Sequence, residues 1–171
     1  MSGKALVIAI VAVSLIFGAV VYYSQIYYYY DRVQATGTQD VMLTNVVTGT
    51  AEPILYDDFQ AIDASSSPIR YRACFTTSMS LPMLTETYEI YENAAPRNAP
   101  GWFDCFDADA IGAEIEGGDA VVFAGQRNIE FGIDRVVAIT GDGRGYVWHE
   151  INECGDKAYD GTPLGEDCPA Q

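Results

Sequence analysis

Residues 5–21 read ALVIAIVAVSLIFGAVV, and the nine that follow, residues 22–30, read YYSQIYYYY. The first run carries no charge and a single polar side chain, Ser14. At about 1.5 Å per residue it covers roughly 25 Å as a helix, slightly short of the ~30 Å hydrocarbon core of a bilayer. The tyrosines supply the rest. Tyr22, Tyr23, Tyr27, Tyr28, Tyr29 and Tyr30 have apolar rings and polar tips, which suit the headgroup level. Asp31 and Arg32 then return the chain to water. The pattern predicts one transmembrane helix over residues 5–30, with its second half crossing the interface.

Orientation follows from the basic residues. Residues 1–4 carry Lys4 and no acid, whereas residues 31–171 carry eight basic against 24 acidic side chains. Positive charge beside a span stays cytoplasmic. The expectation is a four-residue cytoplasmic tail, an anchor in the bacterial inner membrane and a periplasmic remainder. The competing reading is a cleaved leader, whose apolar part runs about 7–15 residues and ends at a small-x-small site. Here the run is longer, and Gly18-Ala19 leads into Val20, Val21 and the tyrosines. Ser14 and Gly18 are spaced small-xxx-small, which lets a second membrane helix approach closely. Ordinary membrane-helix composition produces the same pair.

Residues 31–40, ending in VQATGTQD, read as a polar linker, and residues 41–171 have the size of one domain. The net charge of −15 argues against nucleic acid and against anionic lipid headgroups as partners. It suits a basic soluble protein such as a c-type cytochrome; a merely solvated surface explains it equally well. The four cysteines, Cys74, Cys105, Cys154 and Cys168, all follow the anchor. An even count in an oxidising compartment favours disulfides over metal. Three pairings exist, of which Cys74–Cys105 and Cys154–Cys168 are preferred, the second closing a Gly- and Asp-rich tail with little apolar content. No CxxC occurs and His149 is the single histidine, so a metal site has little to build on.

The predicted fold is α+β: the transmembrane helix, then a mainly antiparallel β domain with two short helices, stapled by disulfides. Strands are expected over residues 41–48, 59–64, 69–76, 119–124, 133–140 and 146–151, with residues 125–132 as a loop. A helix capped by Ser80 should run to about Asn93, and a second, capped by Asp107, should end at Gly117-Gly118. Alternation puts Tyr71, Ala73 and Phe75 on one face of their strand and Arg70, Arg72 and Cys74 on the other, read as solvated. His149, on an apolar strand face, reads as a hydrogen-bonded core histidine.

No catalytic constellation emerges. Residues 141–145, GDGRG, lack the Lys-Ser/Thr ending of a phosphate loop and fit a hairpin turn. The acids around Asp57, Asp104, Asp107 and Asp109 do not match an EF-hand spacing. Cys74-Phe75 and Cys105-Phe106 partly resemble the Cys-Phe-Cys-Phe motif of membrane-anchored copper chaperones, but the 31-residue separation carries no copper transfer over.

Residues 67–75, SPIRYRACF, and residues 132–139, GIDRVVAI, with Trp148-His149, resemble a family of small, uncharacterised single-span proteins of alphaproteobacteria. The resemblance implies an anchor and a periplasmic domain and leaves activity open. The leading expectation is a non-catalytic accessory subunit or assembly factor of a larger inner-membrane complex of respiratory type, cytochrome oxidase or bc1-like, engaged through the helix. It calls for no cofactor. The alternatives are an anchored ligand-binding or sensory module, with Arg70 and Arg72 at the ligand, and a carboxylate-dependent hydrolase.

Overall fold

The apolar run forms a helix, α1, over Gly3–Tyr23, which passes into a π-helical turn over Ser24–Tyr28. A computed structural model describes residues 2–162, 165 and 168. Together the two segments make a 26-residue rod with no buried residue in its apolar window, long and apolar enough to cross a membrane. Met1, part of the expected tail, lies outside the described residues.

Among the described residues eight strands follow: β1 Asp31–Val33, β2 Met42–Thr44, β3 Ala51–Pro53, β4 Asp57–Asp63, β5 Arg72–Thr76, β6 Ala120–Glu130, β7 Ile133–Thr140 and β8 Arg144–Ile151. Six of them form an antiparallel sheet in the order β1-β4-β5-β8-β7-β6, while β2 and β3 pair as a separate hairpin. Two helices complete the fold, α2 over Leu81–Thr87 and α3 over Ala108–Gly117. Asp107 caps α3 by accepting from the Asp109 and Ala110 amides, and Gly118 ends it in the left-handed conformation at φ 79°.

Both sheet faces are covered. On one, Tyr71, Ala73, Phe75, Phe123, Val137, Ile139 and Val147 pack under the β2–β3 hairpin and Leu84 of α2. On the other, Ile62, Cys74, Val136, Ala138, Tyr146 and Trp148 pack under Phe103, Phe106 and Ile111. The two disulfides are Cys74–Cys105 and Cys154–Cys168.

Five expectations are corrected. Residues 31–40 are not a free linker: β1 pairs with β4 along Asp31↔Asp63, Arg32↔Ile62 and Val33↔Ala61. The buried Asp40 carboxylate accepts from the Thr36 and Gly37 amides and from the Tyr56 hydroxyl. The strand at 41–48 stops at Thr44, because the Asn45 side chain accepts from the Val47 and Thr48 amides and turns the chain. The helix expected to reach Asn93 stops at Thr87. Beyond it, Glu89 donates to the Thr44 carbonyl, and Ala124 and Tyr91 exchange bonds with Glu89 and Val122, so this stretch covers the β6 edge. Residues 125–132 are mostly a bulged continuation of β6, turning at Gly132 (φ 79°), where a Cβ would meet the Gly155 backbone at 2.4 Å.

The fifth correction concerns the face of β5 read as solvated. Arg72 is 4% exposed. Its Nε donates to the Arg97 carbonyl at 2.7 Å, Nη1 to those of Ile69 and Tyr71, and Nη2 to that of Asn98. Burial holds its pKa down at about 10. Alternation placed the residue correctly but could not show that an irregular segment lies over it.

Candidate functional site: the collar where helix meets domain

A helix leaves its last carbonyls without intrahelical partners. In this chain the Ile26 carbonyl, inside the π-helical turn, accepts from the Trp102 indole Nε1 at 2.7 Å. Tyr27 stacks on the same indole at 6.4 Å, and Tyr30 meets it edge-on at 6.2 Å. Arg32 lies 5.7 Å above it on its way into β1. Arg70, in the 3₁₀ turn Pro68–Arg70, donates to Gln25 Oε1 at 3.1 Å and lies 5.6 Å from the Tyr30 ring centre. The helix exit is thus gripped by a tryptophan, two tyrosines and two arginines, and only Tyr29 and Tyr30 separate the π-helical turn from β1. Helix and domain meet without slack.

The expected interface tyrosines divide. Tyr22, Tyr23 and Tyr28 are well exposed, at 60–71%; Tyr27 and Tyr29 are less so, and Tyr30 is half-buried against the domain. Ser14 and Gly18 stand exposed, and a Cβ built on Gly18 would meet nothing within 4 Å. The four cysteines are all taken by disulfides. Trp102, Gln25 and Ile26 were not singled out in the sequence. The one available signal was an aromatic pair, Trp102-Phe103, following Pro100-Gly101 in an otherwise polar loop.

Arg70 and Arg72, paired in the ligand-binding alternative, are separated by the fold. Arg72 turns inward to four carbonyls, while Arg70 reaches out to the collar.

His149 is 4% exposed and stacks on Tyr71 with ring centres 4.9 Å apart. Arg135 Nε donates to its Nε2 at 3.1 Å, and its Nδ1 faces the Pro68 carbonyl, which fixes the neutral tautomer with the proton on Nδ1. Burial, with Arg135 and Arg72 nearby, lowers its pKa to about 4, against the opposing pull of the Pro68 bond. Arg135 also lies 4.3 Å over the Tyr71 ring, and burial raises the Tyr71 phenol to about 12. Every polar atom of the imidazole is thus engaged internally, as expected of a structural histidine. Among the described residues, no group of three or more His, Cys, Asp or Glu side chains is placed to hold a metal ion.

A model of a family described as a family of unknown function (DUF6446) matches residues 41–169. No curated protein and no solved structure matches the chain.

Proposed function

The chain belongs to this family of unknown function, and on that footing we propose that it is a membrane-anchored, non-catalytic accessory subunit or assembly factor of a larger inner-membrane complex. The observation that carries the reading is the slack-free joint. A 26-residue apolar rod is joined by only Tyr29 and Tyr30 to an edge strand, with Trp102 bonded to its last turn. A chain that only needed tethering would be served by a flexible linker. A joint of this kind holds the domain at one height and angle, which matters when it must meet a fixed neighbour.

In this reading α1 is an uncleaved anchor, Lys4 lies on the cytoplasmic side, and the disulfide-bonded domain lies in the periplasm. Ser14 and Gly18 form the contact with a partner helix, their open surroundings leaving room for close approach. The partner class is respiratory. The 24 acids of the exported part would steer a basic electron carrier such as a c-type cytochrome toward the complex.

The test is extraction of the full chain from native membranes in mild detergent, as wild type and as the Ser14→Leu/Gly18→Leu double variant. The wild type is expected to bring down an integral membrane partner in fixed stoichiometry. The double variant should stay in the membrane but lose that partner. Recovery of the wild type as a lone monomer would contradict the proposal.

A further inference from the structure

The chain is strongly acidic, yet its charges are sorted at the helix exit. Strands β1 and β4 are the first two of the sheet, and Asp31 stands opposite Asp63. Alternation turns Asp31 and Asp63 to the face that Val33 and Ala61 share, under the β2–β3 hairpin. Arg32 points to the opposite face, where its guanidinium lies over Trp102. Arg70 stands over Tyr30 on that side, and Arg97 bonds Glu150 there. One side of the exit is therefore acidic and the other basic.

The basic side is incompletely satisfied. Among the described residues, Arg97, Arg127 and Arg144 each pair with a carboxylate. Of the arginines that pair with none, Arg72 is spent on backbone carbonyls and Arg135 on His149 and the Tyr71 ring, which leaves Arg32 and Arg70 at the helix exit. Arg70 Nη1 and Arg97 Nε are shielded by neighbouring atoms and have no hydrogen-bond partner among the described residues. The nearby Glu150 oxygens are already engaged by the Trp148 indole, the Ala95 amide and Arg97. Guanidinium groups left without carboxylates are suited to another oxyanion that can accept two N–H donors at once, and a phosphate does so with two of its oxygens.

Position supplies the ligand. Arg32 lies two residues beyond Tyr30, and Arg70 touches both Gln25 and Tyr30, so both stand level with the tyrosine belt. When α1 spans the bilayer, that is the depth of the lipid phosphates.

We propose that Arg32 and Arg70 form a docking site for the headgroup phosphate of an anionic phospholipid, which holds the Trp102 side of the domain down on the bilayer and turns the Asp31–Asp63 side away from it. The inference rests on the anchor reading above. It also revises what the net charge alone suggests, since at the helix exit Asp31 and Asp63 turn to the sheet face opposite Arg32.

The experiment uses the full chain, purified in mild detergent and mixed with phosphatidylglycerol and phosphatidylcholine, with bound lipid read by native mass spectrometry. Wild type should retain phosphatidylglycerol in preference to phosphatidylcholine. Each arginine near an anionic headgroup accounts for about fivefold, so Arg32→Gln/Arg70→Gln should weaken retention about 30-fold. Arg32→Lys/Arg70→Lys, which keeps the charge, should recover most of it. That variant decides the matter if the glutamine pair disturbs the collar. Asp31→Asn/Asp63→Asn should leave retention unchanged. Equal retention by wild type and both arginine variants would overturn the proposal. So would displacement of the lipid by 10 mM inorganic phosphate, which would mark a site for the free anion. The anchor reading is checked separately by the intact mass of protein from native membranes, so failure of lipid binding in a full-length chain counts against this site alone.

Discussion

One face of the six-stranded sheet is closed by regular elements alone and the other by α3 together with a stretch of irregular chain, and the two are held by different forces. Under the β2–β3 hairpin and α2 the contacts are aliphatic and aromatic: Val41, Leu43, Ile54 and Leu84 against Phe123, Val137, Ile139 and Val147. A hairpin and a helix satisfy their own backbone, so apolar burial is enough to hold them. Over the other face run residues 95–106, which have no ladder of their own. There the cover is fixed by Arg72 donating to the Arg97 and Asn98 carbonyls, by Glu150 accepting from the Ala95 amide, and by the Cys74–Cys105 disulfide. The same segment supplies Trp102 to the helix exit. The face that needs polar and covalent support is also the one that holds the exit of α1.

The largest expected effect lies at Arg72. Arg72→Ala removes the donors to four carbonyls and leaves a cavity, at a cost of about 3–5 kcal/mol of domain stability. Arg72→Lys should not rescue it, since a single ammonium cannot span carbonyls on both sides. Chemical denaturation of the oxidised protein checks both. Stability unchanged in Arg72→Ala would show that the cover holds without it.

Cys74→Ser/Cys105→Ser comes next, at about 3.5 kcal/mol on the chain-entropy account of a 31-residue separation. Cys154→Ser/Cys168→Ser should shift the main transition by less than about 1 kcal/mol, because it frees the tail rather than a sheet cover. Equal shifts for the two pairs would break the contrast between the faces.

Between these in size stands the titration of His149. Its pKa falls from 6.5 to about 4 in the folded chain, so as pH drops the unfolded chain takes up the proton first. The stabilisation from keeping the ring neutral is complete above pH 6.5 and is lost as pH falls toward 4, amounting to at most about 3 kcal/mol. Protonation would replace the Arg135 bond to Nε2 with a contact between two cations. His149→Gln should flatten the stability profile between pH 6.5 and 4. A profile in that window as steep as wild type's would assign the loss to carboxylates.

Local chemistry made much of this legible in the sequence. The apolar run, the Asp107 cap, the glycines after α3, the hairpin at residues 141–145 and the cysteine pairs each carry their own signal. What the sequence hid was long-range. Residues 88–91 follow a helix-compatible stripe but gain more by bonding to the β6 edge. Arg72 looks solvent-facing until residues 95–106 are laid over it. The collar was half visible: the tyrosines announced an interface, but nothing local links Trp102 to the Ile26 carbonyl 76 positions away.

The central claim is that α1 remains part of the working protein as its membrane anchor. The most direct measurement is the intact mass of the chain isolated from carbonate-washed native membranes. The expected product is a membrane-retained species that still includes the residues before Tyr22. A soluble product beginning between residues 19 and 31 would contradict it, and would make the helix a leader that the collar never holds in the mature protein.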